Sequence, residues 1–342
     1  MKKRLFYIFT GAGIIILIAA IFFYKLLFGI SVYPMEKSVT LYIPSGSSYN
    51  QVLDSVRTNL NVKNPELLSW VADKKRYPES IKPGRYILKE PLSVNELINI
   101  LRSGRQTPVK ITFNNIRTLN QLAGKFGKEL EADSVQILDF FKDESNFRDD
   151  EFTKETIISL FIPDTYEFFW NTAPDGVYVR MLKEYNRFWN ADRSARAAEK
   201  RLTRTEVSIL ASIIDDEVTK KDEKPRIAGV YLNRLIRGIP LQACPTIKFA
   251  MNDFTITRVL KVHLETESPY NTYKYLGFPP GPIGCPSIEG IDAVLNAEEH
   301  DYMFFAAKSD FSGYHNFSRT LSEHNRYAAE YQRELNKRKI FR

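Results

Sequence analysis

The sequence predicts an α+β chain: a single N-terminal transmembrane helix, a small β-α-α-β module, then a larger α+β region. Three observations point there. Leu5 to Tyr24 (LFYIFTGAGIIILIAAIFFY) is twenty residues without a charge. Short strand patterns and well-marked helix starts alternate between residues 39 and 104. Strand and helix periodicities mix through the remainder, with no internal repeat and no low-complexity segment. A length of 342 residues fits two soluble domains plus extras, at roughly 100–200 residues per domain. The apolar fraction of 44% and charged fraction of 26% exclude wholesale disorder, and 16 Gly and 17 Pro exclude a collagen-like chain. Two cysteines are too few for a disulfide scaffold or a zinc finger.

As a helix, the charge-free run spans about 30 Å, the thickness of a hydrocarbon core. A cleaved signal peptide would have a shorter apolar region ending at a small-x-small site. Here Gly11-Ala12-Gly13 come early and bulky Phe22, Phe23 and Tyr24 close the run, so an uncleaved anchor is expected. Lys2, Lys3 and Arg4 precede it and only Lys25 follows closely. The positive-inside rule then places residues 1–4 in the cytoplasm, 5–28 in the membrane and the rest outside. Those four cations supply most of the +7 net charge and leave +3 on the soluble part. With the external location, that argues against a nucleic-acid role.

Residues 39–43 (VTLYI) read as a strand and Pro44-Ser45-Gly46 as its turn, with a short amphipathic helix from Tyr49 to Val56. Asn64-Pro65-Glu66 starts a helix: a capping side chain, proline at the first helical position, an acid in the first turn. Lys82-Pro83-Gly84-Arg85 reads as a type II turn before the strand Tyr86-Ile87-Leu88. Ser93 to Ser103 reads as a helix with a Ser93/Glu96 capping box and Gly104 past its end. This β-α-α-β pattern, within residues 29–108, resembles a LysM module, a small fold that binds glycan backbones; the alternative is a spacer without a ligand. Beyond a boundary within 105–115 comes the second domain, 109–342. It has a strand at Val109 to Phe113, helices around 118–127, 134–142 and 175–190, and an extended aromatic stretch from Phe161 to Phe168. A charged helix closes it from Leu321 to Lys339.

The chemistry concentrates in the core of that domain, 205–342. The motifs GxSxG, HExxH and the Walker loop are absent. From Glu206 to Arg237, the residues Val207, Leu210, Ala211, Ile214 and Val218 recur at helical spacing and define a buried face. Glu217 falls at the edge of that face, while Asp215 and Asp216 point further round. A carboxyl beside apolar surface is desolvated, which raises its pKa, and a general acid of glycoside cleavage needs that property. Lys220 and Lys221 lie three and four residues on and would act the other way, so an exposed ion pair is the alternative. Loops dense in proline, glycine, amides and aromatics follow: Leu241 to Thr246, Tyr270-Asn271-Thr272-Tyr273, and Gly277 to Ile283. They suit a sugar, or ordinary turns. The four histidines (263, 300, 315, 324) show no metal-ligand spacing.

Taken together, these segments resemble the endolytic murein transglycosylases of the MltG (YceG-like) type. The matching segments are Ala211-Ser212-Ile213-Ile214-Asp215-Asp216-Glu217, Val230 to Leu235, LQ-x-x-PT, YNTY, G-x-PPGPI, Pro163-Asp164-Thr165-Tyr166 and His315-Asn316-Phe317. Their order and spacing hold from about residue 39 to the C-terminus. The resemblance implies a substrate, the glycan strand of peptidoglycan, cut at the MurNAc-β-1,4-GlcNAc bond without water to leave 1,6-anhydroMurNAc ends. It implies Glu217 as the catalytic acid, with Asp215, where the family usually has Glu, and Asp216 as supporting acids. It suggests Gln242, Thr246, Tyr270, Asn271, Tyr273 and Asn316 as sugar contacts. No metal or cofactor is needed. The family often has Asp where this chain has Cys244, and a non-cysteine residue where it has Cys285. Two cysteines in two groove-bordering motifs, in an oxidising location, suggest a Cys244–Cys285 disulfide. The implied place is the cell inner membrane, with the catalytic domain periplasmic and peptidoglycan synthases as partners. The competing readings are a hydrolytic muramidase and a non-catalytic glycan-binding scaffold.

Overall fold

The computed structural model describes residues 2–147, 150–256 and 258–338. It is a mixed α+β chain that divides into two compact units. The first gathers the chain up to Lys110 together with 129–131 and 167–173; the second holds 111–128, 132–166 and everything from Pro174 on.

In the first unit, the charge-free run forms one helix, α1 (Lys2–Phe28), that is long and apolar enough to cross a membrane over Phe6–Phe28. Then come β1 (Val32–Pro34), β2 (Val39–Ile43), α2 (Tyr49–Asn59), β3 (Leu60–Val62), α3 (Pro65–Lys74), β4 (Gly84–Leu88) and α4 (Val94–Ser103). The β-α-α-β order is present as β2, α2, α3 and β4, with β2 and β4 antiparallel and Leu41 opposite Tyr86. The short strands β1 and β3 form a second antiparallel pair that the sequence pattern does not announce. The alternation in β2 and β4 buries Leu41, Ile43, Tyr86 and Leu88 against Val56, Leu68, Leu97 and Leu101. Each such side chain contributes roughly 1.5–3 kcal/mol on burial.

Local signals place the helix ends. Asn64 accepts from the Leu67 N–H, and Gly104 closes α4 in the left-handed region at φ 70°. The Ser93/Glu96 box forms only its first half, Ser93 accepting from the Glu96 N–H; a full box closes α2 through Ser48 and Gln51. The expected turn at Lys82 to Arg85 is already strand from Gly84, whose φ is 147°. A side chain there would collide with Gln106, its added Cβ lying 2.1 Å from that side chain.

Across the second unit run β5 (Val109–Phe113), α5 (Leu119–Glu129), α6 (Ser134–Lys142), β6 (Asp164–Phe168), α7 (Pro174–Phe188), α8 (Ala191–Glu199), α9 (Arg204–Glu217), α10 (Lys224–Ile236), α11 (Cys244–Ala250), α12 (Ile288–Leu295), β7 (Phe304–Ala307), β8 (His315–Ser318) and α13 (Leu321–Lys337). The strands pair as β5 with β6 and β7 with β8. Lys339, the last residue of the expected C-terminal helix, lies outside the described residues.

Helix α9 is the spine of this unit and packs against α8, α10, α11 and α12. Every residue from Val207 to Ile214 is buried. The expected single apolar face is therefore a correction: Ile209 and Ile213 are enclosed as well, as in a helix surrounded by neighbours. The two serines within it satisfy themselves locally, Ser208 donating to the Arg204 carbonyl and Ser212 to that of Ile209.

Candidate active site

The site starts where α9 stops. Glu217 is its last residue, and Val218 turns extended while its N–H still bonds the Ile214 carbonyl at 3.1 Å. Helix resumes only at Lys224, with Pro225 in the first turn, a position where proline costs no hydrogen bond. The two helices are thus separated by a link at 218–223. That break matters for charge, because Lys220 and Lys221 leave the helical register. Lys221 pairs with Glu289 at 2.6 Å, and Lys220 lies over the Tyr314 ring at 4.9 Å. Neither neutralises Glu217.

The Glu217 carboxyl is half-buried and has no hydrogen-bond or ion-pair partner among the described residues. Burial pushes its pKa up to about 7; Lys248 on α11 acts downward and the Asp216 charge upward. The negative end of the α9 dipole, where it sits, also favours the protonated form. Apart from those two charges, the groups closest in its electrostatic surroundings are neutral ones. Burial first, and the Glu217 charge next, hold the Tyr231 hydroxyl and the Cys244 thiol above their ordinary range. The Tyr231 hydroxyl is buried without a hydrogen-bond partner among the described residues, and the Cys244 thiol lies 3.2 Å from the Tyr273 hydroxyl. This is an environment of low polarity around one acid.

Its two neighbours are engaged. Asp215 accepts from Lys224 Nζ at 2.8 Å and from the Ser287 hydroxyl and N–H at 2.8 and 2.7 Å. It thereby ties α9 to the start of α10 and to the cap of α12. Asp216 is held by both terminal nitrogens of Arg117, at 2.5 and 3.0 Å, and that guanidinium also lies over the Phe254 ring. Beside them opens a polar cleft of about 520 Å³, bordered by Asn114, Asn115, Arg117, Asp215, Asp216 and Ser287. Glu217 does not line this cleft.

The loop residues separate into two groups. Thr246 and Asn271 are fully enclosed. Thr246 Oγ1 lies 2.8 Å from Thr272 Oγ1, and Asn271 donates to the Leu264 and Thr266 carbonyls while accepting from the Tyr273 N–H. They brace loops, which corrects their expected role as sugar contacts. Gln242, Tyr270, Tyr273 and Asn316 keep some exposure. Gln242 sits at a left-handed φ of 54°, its carbonyl oxygen accepting from buried Arg234. Tyr270 packs on Phe249, Tyr273 reaches Cys244, and Asn316 stands on β8 opposite Ala306.

The expected disulfide is absent: both cysteines are free. Cys285 is buried and donates to the Phe161 carbonyl at 2.6 Å, whereas Cys244 faces Tyr273. Each thiol is committed to a different wall. His315 makes a largely buried pair with Glu223, its Nδ1 at 2.9 Å and its N–H at 3.0 Å from the carboxylate. Lys224, Ser287, Arg117 and Lys248 complete the surroundings. Sequence spacing does not reveal them, because they come from separate elements.

An isolated, desolvated carboxyl stands at the end of a buried helix with its acidic neighbours tied down, an arrangement able to hold a proton near neutrality and give it up. The model of the YceG-like family matches residues 41–330, and the chain belongs to that family. A protein named endolytic murein transglycosylase from Bacillus subtilis (strain 168) is 30% identical over 318 residues, 87% of each chain. One of the same name from Streptococcus pneumoniae (serotype 2, strain D39) is 27% identical over 330 residues, 86% of this chain and 59% of the relative. The crystal structure of a YceG-like protein from Listeria monocytogenes superposes with a TM-score of 0.54 at 25% identity, covering 85% of this chain and 98% of that one.

Proposed function

We propose that this chain is a peptidoglycan lytic transglycosylase, a lyase, with Glu217 as its acid. The observation that carries this reading is the state of Glu217: raised to about 7 by burial, it holds a proton near neutrality. Glu217 donates that proton to the bridging oxygen of the MurNAc-β-1,4-GlcNAc bond. The resulting carboxylate takes the proton of the muramic 6-hydroxyl as this oxygen attacks its own anomeric carbon, and a 1,6-anhydro end results. An internal hydroxyl has a high effective concentration, so no positioned water is required. Hydrolysis would instead need a second carboxylate as nucleophile or base. Asp215 and Asp216 are poor candidates for it, since each already accepts close hydrogen bonds from a cation. They serve as supports. Gln242, Tyr270, Tyr273 and Asn316 are the sugar contacts in this reading.

The first unit, over residues 29–108, is the LysM-like glycan-binding module and residues 109–342 are the catalytic domain. The α1 helix anchors both in the cell membrane, with residues 1–4 cytoplasmic and the remainder outside. An anchored endolytic enzyme would cut new strands near the membrane-bound synthases that make them, and so terminate elongation.

The test is a digest of purified peptidoglycan by the full chain in detergent, beside Glu217→Gln, with the ends read by mass spectrometry. Anhydro ends from the native chain alone are expected. Reducing ends would make it a muramidase, and retained glycan binding without cleavage would make it a scaffold.

A further inference from the structure

The chain passes from α1 into the first unit without a tether. Only Gly29 to Ser31 separate Phe28, the end of α1, from Val32, the start of β1. Gly29 still follows the helical path, its N–H bonding the Lys25 carbonyl at 2.8 Å. Ser31 is already tied to the unit: its N–H donates to the Leu92 carbonyl at 3.0 Å, and its own carbonyl accepts from the Lys63 N–H at 2.9 Å. Even fully extended, such a link reaches at most about 10 Å. The headgroup layer of a bilayer is about 5–8 Å deep on each side. With α1 across the membrane, the base of the first unit therefore stands in that layer or directly on it.

The unit also leans on the span itself. Leu26 and Leu27 pack against its core, and the Phe23 ring meets the Trp70 ring of α3 at 5.7 Å and 87°. Phe23 lies more than one helical turn before Phe28, where the apolar span ends, a distance of about 7 Å along the axis. Trp70 is thereby level with the boundary between hydrocarbon and headgroups. It is 42% exposed at that level, and Ile30, in the link, is 59% exposed. Lysines accompany the aromatic rings here. Lys74 Nζ is 5.9 Å from the centre of the Trp70 ring, and Lys63 Nζ is 4.8 Å from that of Tyr33. The Tyr33 hydroxyl lies 3.5 Å from the Ile30 carbonyl, at the height of the link.

We infer that the first unit is seated in the headgroup layer of the bilayer that α1 crosses, with Trp70, Tyr33 and Ile30 as its lipid contacts. An indole or phenol ring beside a lysine stem suits a membrane–water boundary: the flat apolar area faces the acyl chains, while N–H, hydroxyl and ammonium groups face water and phosphate. Net charge does not supply the attraction. The exposed acids Glu66 and Asp73 share α3 with Trp70 and Lys74, and exposed Glu36 follows β1. Opposite charges offset one another, so the contact is aromatic and apolar, and salt should leave it intact. The seat rests on the reading of α1 as the anchor. So small an area would not hold the unit to a membrane without α1, since even a single acyl chain binds only marginally. With α1 in place, it keeps the first unit from swinging and fixes the face that the unit turns to the membrane.

The experiment reconstitutes the full chain, at high lipid-to-protein ratio, into phosphatidylcholine vesicles whose acyl chains carry bromine either near the headgroup or deep in the core. Quenching of tryptophan fluorescence is compared between the parent and Trp70→Phe. The chain has three tryptophans, and Trp189 is buried in the second unit. Shallow bromines should quench part of the parent's emission and deep ones less. Trp70→Phe should lose that shallow quenching, and in the parent it should persist at high salt. Flotation after an alkaline carbonate wash reports on α1 separately, and thermal melts show that each variant is folded. A folded parent that floats without shallow quenching, or a folded Trp70→Phe chain quenched as strongly as the parent, overturns the seat and leaves the anchor standing. Shallow quenching that high salt abolishes also overturns it, because the contact would then be electrostatic. A chain that does not float removes the anchor, and the seat with it.

Discussion

At the scale of single residues, the proposed reaction turns on the proton held by Glu217. With the carboxyl raised to about 7 by burial, cleavage should hold below that pH and fall as the pH rises through it. Two neighbours set the position of that falling limb. Asp216→Asn removes a negative charge, so deprotonation becomes easier and the limb moves to lower pH. Lys248→Met removes the cation that favours the charged form, so the limb moves to higher pH. Rates measured across pH on peptidoglycan check both directions, and a shift of the same sign in both variants would contradict the assignment. Glu217→Gln should lower the rate by roughly 10²–10⁴-fold. The same substitution should stabilise the fold in alkali. The folded pKa lies above the unfolded one, so the native state holds the extra proton between about 4.5 and 7, and stability declines as pH rises through that window. Removing the ionisable group relieves that cost, by about 3 kcal/mol at pH 8, while the two proteins converge below the unfolded pKa. Thermal melts at pH 4 and 8 measure it.

Among the elements, the link between α9 and α10 deserves the closest test, because it carries Glu217 at one end. Glu223 fastens that link to β8 through two hydrogen bonds to His315, with both groups buried or nearly so. His315→Ala removes the imidazole bond and leaves the enclosed Glu223 carboxylate with only the backbone N–H of residue 315. It should cost about 1–3 kcal/mol and lower cleavage through loosened placement of Glu217. Denaturant titration gives the first quantity and the digest the second. A second contact is purely steric. Gly229 on α10 lets the helix approach the chain at Glu298 so closely that an added Cβ would lie 2.3 Å from the Glu298 carbonyl oxygen. Gly229→Ala should therefore destabilise by more than about 2 kcal/mol, despite alanine's better helix propensity. An unchanged melting temperature would show that the backbone there yields.

For the molecule as a whole, α1 is both a candidate membrane span and part of the first unit. Its side chains from Phe6 to Tyr24 are largely exposed, as a membrane span requires. Its far end is part of the first unit: Leu26 and Leu27 pack against that core, and Phe23 meets the Trp70 ring at 5.7 Å. A chain beginning at Lys25 should be released from membranes and melt close to the full-length protein. One beginning at Ser31 should be released too but lose about 2 kcal/mol of the first unit's stability, the burial of two leucines being worth at least that. Equal melting of the two truncations would mean that the α1 contacts add nothing.

The sequence by itself determined the periodic and punctuated parts of this protein. A run of twenty uncharged, mostly apolar residues is too long for a strand and forms one helix here. Asn64, Ser93 and Gly104 mark helix ends through local hydrogen bonds and left-handed backbone, and the alternation in 39–43 and 84–88 sets two strands face to face. Glu217 was legible for the same reason, as the acid at the edge of an apolar helical pattern. Other elements were not. Pro245 reads as a loop signal but sits in the first turn of α11. Phe304 to Ala307 has no alternation, and its strand exists only because β8 pairs with it. Tertiary structure alone decided the state of the acid, because its burial and its charged neighbour Lys248 come from elements distant in the chain. It also decided that Thr246 and Asn271 face inward and that the two thiols face apart. Spacing along a chain reports which side of an element a residue takes; what stands opposite depends on how the elements close around it.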